Sequence, residues 1–201
     1  MAEPVLIYPD WPAPARVGAV SSTRTGGCSL PPWESFNLGD HVGDDHSAVA
    51  ANRRRLFRKI GMPESPCWLQ QVHGARVISA TEKACEADAS ISRQPGQVCA
   101  VMTADCLPLL MCDRQGRQVA AVHAGWRGLA AGVVENTLDS FDCLPRDILV
   151  WLGPAIGPTA FEVGPEVRQV FLQQDEEAAQ AFRANQGDRW LADIYLLAKL
   201  K

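Results

Sequence analysis

The alternation of apolar and polar positions is most informative between residues 98 and 129, VCAVMTADCLPLLMCDRQGRQVAAVHAGWRGL. Two β-like apolar runs flank Asp113-Arg114-Gln115-Gly116-Arg117, a polar stretch with a glycine, which is the pattern of a β-hairpin with a four- or five-residue loop. Pairing Asp113 with Gln118 sets Pro108 opposite His123 and leaves Cys106 diagonal to His123 on the same sheet face, roughly 7 Å away. A slip of one residue would put the two on opposite faces, and Pro108 weakens the start of its strand. Beyond Ala124-Gly125, the positions Trp126, Leu129, Val133, Val134, Thr137, Leu138 and Phe141 follow helical spacing, so one helix is expected from Trp126 to Phe141.

The rest of the chain divides in the same way. Residues 1–16, with Pro4, Pro9, Pro12 and Pro14, read as an extended lead-in. Val17–Thr23 reads as a short strand ending at Arg24 and the turn Thr25-Gly26-Gly27, where an arginine beside two glycines suits an anion but, taken alone, reads first as a solvated turn residue. A loop carrying Asn37, Gly39, His41 and Gly43 leads to a helix from His46 to Ile60, capped by Asp45 and stopped by Gly61 and Pro63. Its buried side is expected at Ala48, Val49, Asn52, Leu56, Phe57 and Ile60, and Arg53-Arg54-Arg55 fall on its polar face.

CWLQQV, residues 67–72, is a second β-like run ending at His73-Gly74, with Ala75–Ala80 extended beyond the turn and a strand piece at Ser90–Ser92. Asp147–Leu152 is a continuous apolar run of the buried-strand type. It meets the rigid loop Gly153–Pro158, placed as a pocket rim. A helix begins at Pro165 and runs through Leu172, an acidic helical piece covers Asp175–Ala184, and the final helical pattern from Asp193 is cut off at Lys201, as if C-terminal sequence were missing.

Composition narrows the classes. With 201 residues, 47% apolar and 21% charged, the chain suits one globular domain with ample core. A formal charge of −4 supplies no basic footprint for nucleic acid. Seven cysteines without a CxxC, and no signal-like start, point to a reduced, cytoplasmic protein. No apolar run is long enough to span a membrane.

Chemistry enters at the ends of the β-like runs. Cys106 and His123 alone also fit a core cysteine beside a core histidine. His73, at the end of a third run, completes a Cys/His/His set, and three donors from separate stretches are what an open zinc site needs, with a fourth position left for water or substrate. The predicted helix start after Gly125, with Arg127 in its first turn, favours an anion nearby. Asp88 reads as an orienter of a ligand histidine, a contact to a sugar hydroxyl, or a turn carboxylate.

The motifs STRTGG, SFNLGDHVGDD, QQVHG, TADCLP, VAAVHAGWRGLAAG and WLGPAIGP occur in this order. From about Val17 to the last residue, the chain resembles the bacterial laccase-domain family, also called multicopper polyphenol oxidase-like proteins or peptidoglycan editing factor. The resemblance implies an α/β (α+β) fold, a layered α-β-β-α sandwich with mixed sheets related to the cytotoxic necrotising factor catalytic domain. It implies one laccase-like domain over 1–201, lacking a C-terminal stretch with an FFSYRRD-like motif.

It further implies zinc on His73, Cys106 and His123, with copper the less favoured metal. The implied activity is phosphorolysis of adenosine, inosine and methylthioadenosine, with adenosine deamination beside it. The expected catalytic set is Cys106, His73, His123 and Arg127, and the expected substrate contacts are Arg24, Asn37, Asp88 and Gly125. Partners are then small molecules, a purine nucleoside and phosphate, for a monomer or weak homo-oligomer without nucleic acid or membrane. Three rivals stay open: copper oxidation of phenols, a metal-free cysteine hydrolase with Cys106 as nucleophile and His123 as base, and a peptidoglycan-precursor editing hydrolase. Four histidines cannot furnish a multicopper centre, which favours a single zinc-type site.

Overall fold

The computed structural model describes residues 3–62, 65–82 and 85–201. Its main sheet has five strands: β3 (Val77–Ser79), β4 (Ala89–Ser92), β5 (Leu107–Asp113), β6 (Val119–Ala124) and β7 (Ile148–Leu152). Their order is β3-β4-β6-β5-β7. Only β3 and β4 run parallel; the other pairs are antiparallel. Two smaller antiparallel sheets pair β1 (Leu6–Ile7) with β2 (Ser21–Ser22), and β8 (Glu162–Val163), β9 (Phe182–Ala184) and β10 (Trp190–Ala192) in the order β8-β10-β9. With α1 (His46–Ile60), α2 (Trp126–Ala130), α3 (Val133–Asp139), α4 (Pro165–Leu172) and α5 (Ile194–Lys199), the chain is an α+β protein containing a mixed sheet.

The hairpin forms in the expected register: Pro108 pairs with His123, and Leu107 with Ala124. Period-two alternation then sorts the side chains. Ala89, Ile91, Leu107, Leu109, Met111, Ala120, Val122 and Ala124 enter one core shared with α2, α3, α4, α5 and the three-stranded sheet. His123 therefore belongs to the opposite face. Helix α1 is capped as expected, Asp45 accepting from the amides of Ser47 and Ala48, and Gly61 closes it at φ +60°. Val49, Asn52 and Leu56 are its buried positions, whereas Ala48, Phe57 and Ile60 are half-buried. Pro63, expected to help stop it, lies outside the described residues.

Several expectations are corrected. The single helix from Trp126 is two, because Gly132 takes φ +89° between α2 and α3, a conformation cheap only for glycine. CWLQQV forms no strand. Gln70 makes one bridge to Glu86, and the side chain of Gln71 turns instead to the backbone of Met102. The strand expected over Val17–Thr23 shrinks to β2, and the lead-in contributes β1. β7 is an edge strand with Val150 exposed, so its apolar run is not buried on all sides. The acidic stretch is a 3-10 helix over Glu176–Ala181, and Phe182–Ala184 turns to strand against β10. No helix among the described residues is long and apolar enough to cross a membrane.

Candidate metal centre

Three elements end at one place. Cys106 immediately precedes β5, His123 is the penultimate residue of β6, and His73 sits in the turn that follows the Gln70 bridge. The donor atoms of His73, Cys106 and His123 all lie within 4.8 Å of one another. The two imidazoles meet edge to face, with centroids 4.7 Å apart and planes at 75°. Two nitrogens and a sulfur are donors that suit zinc. His123 is buried, Cys106 half-buried and His73 exposed, so the cluster opens to solvent on the His73 side.

The surroundings hold each donor in place. His73 adopts φ +59°, the left-handed region that side chains rarely occupy. The amides of Val72, His73 and Gly74 all donate to the Asp88 carboxylate, at 3.2, 2.9 and 2.7 Å. Asp88 also meets Nδ1 of His123 at 2.8 Å, which leaves Nε2 of that ring for the cluster. Gln71 clamps the turn to the approach to Cys106, donating to Met102 O and accepting from Met102 N. Asn136 of α3 donates to Ala75 O beyond the turn. Gly125 faces Cys106 across the hairpin; a Cβ there would lie 2.8 Å from Sγ and 3.1 Å from Cδ2 of His73.

Electrostatics separates the two histidines. Burial alone would depress His123, but the hydrogen bonds to Asp88 and Cys106 outweigh it and raise its pKa to about 9. His73 is lowered, first by desolvation and then by the neighbouring His123 charge; Asp88 opposes this, and Arg127 adds a lesser lowering. Without an ion, His123 therefore holds a proton more readily than His73, and a metal bound at its Nε2 would have to displace that proton.

The remaining expected residues divide. Gly125 and Arg127 border the cluster, the Arg127 guanidinium lying over the Trp126 ring, 4.6 Å from its centroid. Arg24, expected at the substrate, donates through Nε and Nη2 to Glu34 O and is otherwise exposed. Asn37, also expected there, closes its own turn with Gly39 and binds Asp44. Asp88 is fully buried, with both oxygens taken by protein donors, so it is not available to a sugar hydroxyl. Gln71 was absent from the expected set; its signal was the glutamine pair preceding Val72-His73. The loop Gly153–Pro158 lies beside the cluster approach, Ile156 donating to Asp105 O and Gly153 to Pro108 O.

An α+β fold that gathers one cysteine and two histidines at converging strand ends defines a protein with one cluster, among the described residues, able to hold a metal ion. The chain belongs to the multi-copper polyphenol oxidoreductase laccase family, whose model matches residues 18–201. It is 57% identical over 197 residues to a protein of Escherichia coli K12 named purine nucleoside phosphorylase YfiH, covering 96% of this chain and 81% of that one. A Pseudomonas aeruginosa protein named purine nucleoside phosphorylase PA4543 is also 57% identical, over 198 residues covering 97% and 81%. Among solved structures, Neisseria meningitidis NMB0706 superposes with a TM-score of 0.93 at 46% identity, covering 97% of this chain and 81% of its own. YlmD of Geobacillus stearothermophilus superposes at 0.86 with 29% identity, covering 92% and 76%.

Proposed function

We propose that the protein is a zinc-dependent purine nucleoside phosphorylase whose reaction takes place at the His73, Cys106 and His123 cluster. The observation that carries the proposal is the convergence of these three donors in a chain 57% identical to two relatives bearing that enzyme name. In phosphorolysis a phosphate oxygen forms a bond to C1′ as the C1′–N9 bond breaks. The electron pair leaves with the purine, which takes up a proton. Arg127, exposed beside the cluster, supplies a permanent positive charge for the phosphate dianion. The dipole expected from a long helix contributes less, since α2 has five residues. Zinc held there would supply a Lewis-acidic open position.

Adenosine, inosine and methylthioadenosine are the proposed substrates, and deamination of adenosine is the side reaction. The setting is cytoplasmic, for a single-domain chain acting as a monomer or weak homo-oligomer on small molecules. Copper oxidation of phenols needs more imidazoles than the cluster gathers: of four histidines, His41 is exposed beside Asp40 and His46 opens α1. Zinc-loaded protein incubated with adenosine and phosphate is expected to release adenine and ribose 1-phosphate. Cys106→Ala should reduce that rate by at least about 100-fold while keeping its cooperative melt. Absence of any phosphate-dependent release of base from the zinc-loaded protein would defeat the proposal.

A further inference from the structure

We infer that Asp88 is the positioning residue of the centre: one buried carboxylate sets both histidine donors, and does so before any metal arrives. The inference rests on the metal-binding part of the proposed function and is independent of the substrate.

Four donors converge on two oxygens. Oδ1 accepts from the His73 amide at 2.9 Å and meets His123 Nδ1 at 2.8 Å; Oδ2 accepts from the amides of Gly74 at 2.7 Å and Val72 at 3.2 Å. Three consecutive amides can point at one anion only if the chain curls around it, and that curl is what places His73 at φ +59°. Residues bearing a side chain rarely adopt the left-handed backbone, so something must hold it, and the carboxylate does. On its other side, the same group fixes the ring plane of His123 and engages Nδ1, leaving Nε2 to face Cys106. The backbone of Asp88 completes the frame, its carbonyl accepting from His123 N at 2.7 Å as the β4–β6 ladder continues past Ala89 and Val122. Asp88 is completely buried, so water cannot replace any of these partners at low cost.

An asparagine of the same shape cannot do this. With its oxygen on the His73 and His123 side, its NH2 faces the amides of Val72 and Gly74, donor against donor. Flipped, its NH2 faces His73 N–H, and it can partner His123 only in the tautomer that places the proton on Nε2, the atom needed for the metal. Either arrangement loosens one histidine.

Asp88→Asn is therefore expected to weaken zinc and cobalt binding by about 10–100-fold in chelator competition. It should also alter the visible spectrum of the cobalt-loaded protein, a signature that a loss of stability alone would leave unchanged. A variant with wild-type affinity and spectrum would overturn the inference. A second measurement needs no variant: amide exchange of Val72, His73 and Gly74 in metal-free and zinc-loaded wild-type protein. Protection of the three amides without metal is expected. Exchange at open-loop rates in the metal-free protein, with protection appearing only on loading, would overturn it. Neither result depends on nucleoside turnover, so failure here is distinguishable from failure of the phosphorylase proposal.

Discussion

Gly125 matters for the atom it lacks. Its backbone, at φ −68° and ψ 161°, is open to any residue, so conformation does not demand a glycine. Space does: a methyl there would meet Cys106 Sγ at 2.8 Å and the His73 ring at 3.1 Å. Gly125→Ala is expected to push the sulfur and one imidazole apart, lowering metal affinity at least about tenfold and costing about 1–3 kcal/mol of stability. Chelator competition and urea unfolding check this, and unchanged affinity would contradict the packing account. In the sequence Gly125 is legible as a break before a helix and, through the family resemblance, as a substrate contact, but not as a packing requirement. Asp88 was harder, because its partners stand 15 and 35 residues away and come together only after β4 pairs with β6. Arg24 reads as a ligand contact because a double glycine suits an anion, and Asn37 enters with the family resemblance; in the structure Arg24 donates to Glu34 O, and Asn37 to Gly39 O and Asp44.

At the scale of elements, the hairpin is the most legible feature, since a polar, glycine-containing loop separates two apolar runs; its register rests on pairing Asp113 with Gln118, which the structure bears out. The loop is held by Asp113, almost completely buried, which accepts from the amides of Arg117 and Gln118 at 2.6 and 3.0 Å. Burial pushes the Asp113 carboxyl up, but those amides and the Arg117 guanidinium outweigh it and hold its pKa below the ordinary carboxylate value. A depressed carboxylate stabilises the fold fully above the unfolded pKa of about 3.9, and that contribution is lost as pH falls through the folded value. Asp113→Asn should cost about 1–3 kcal/mol at pH 7. The gap between variant and wild type should narrow as pH drops below about 3.9; urea unfolding at the two pH values reads it, and a gap independent of pH would contradict the assignment. The helix after Gly125 was misjudged as continuous because apolar spacing survives the break: Leu129, Val133, Val134 and Thr137 all remain buried across Gly132. CWLQQV reads as a β-like run, yet in the structure Gln71 bonds the Met102 backbone and the turn at Val72–Gly74 binds Asp88, so only Gln70 makes a bridge.

Across the whole molecule, the shared core of the main sheet and four helices fixes the ends of β5 and β6, and α1 packs elsewhere, against the 28–38 loop through Asn52. Mixed α+β architecture and a three-donor site were visible in the motifs. The three-stranded β8-β10-β9 sheet was not, because its strands are two or three residues long and carry no periodic signal. One rigid frame delivering a sulfur and two imidazoles to a point is what everything else depends on. Its direct test is the metal stoichiometry of cobalt- or zinc-loaded protein beside the Cys106→Ala and His73→Ala variants. One equivalent per chain is predicted for the wild type, with a sulfur-to-cobalt absorption band, and loss of both in each variant. Equal metal binding by wild type and variants, or several equivalents per chain, would contradict it.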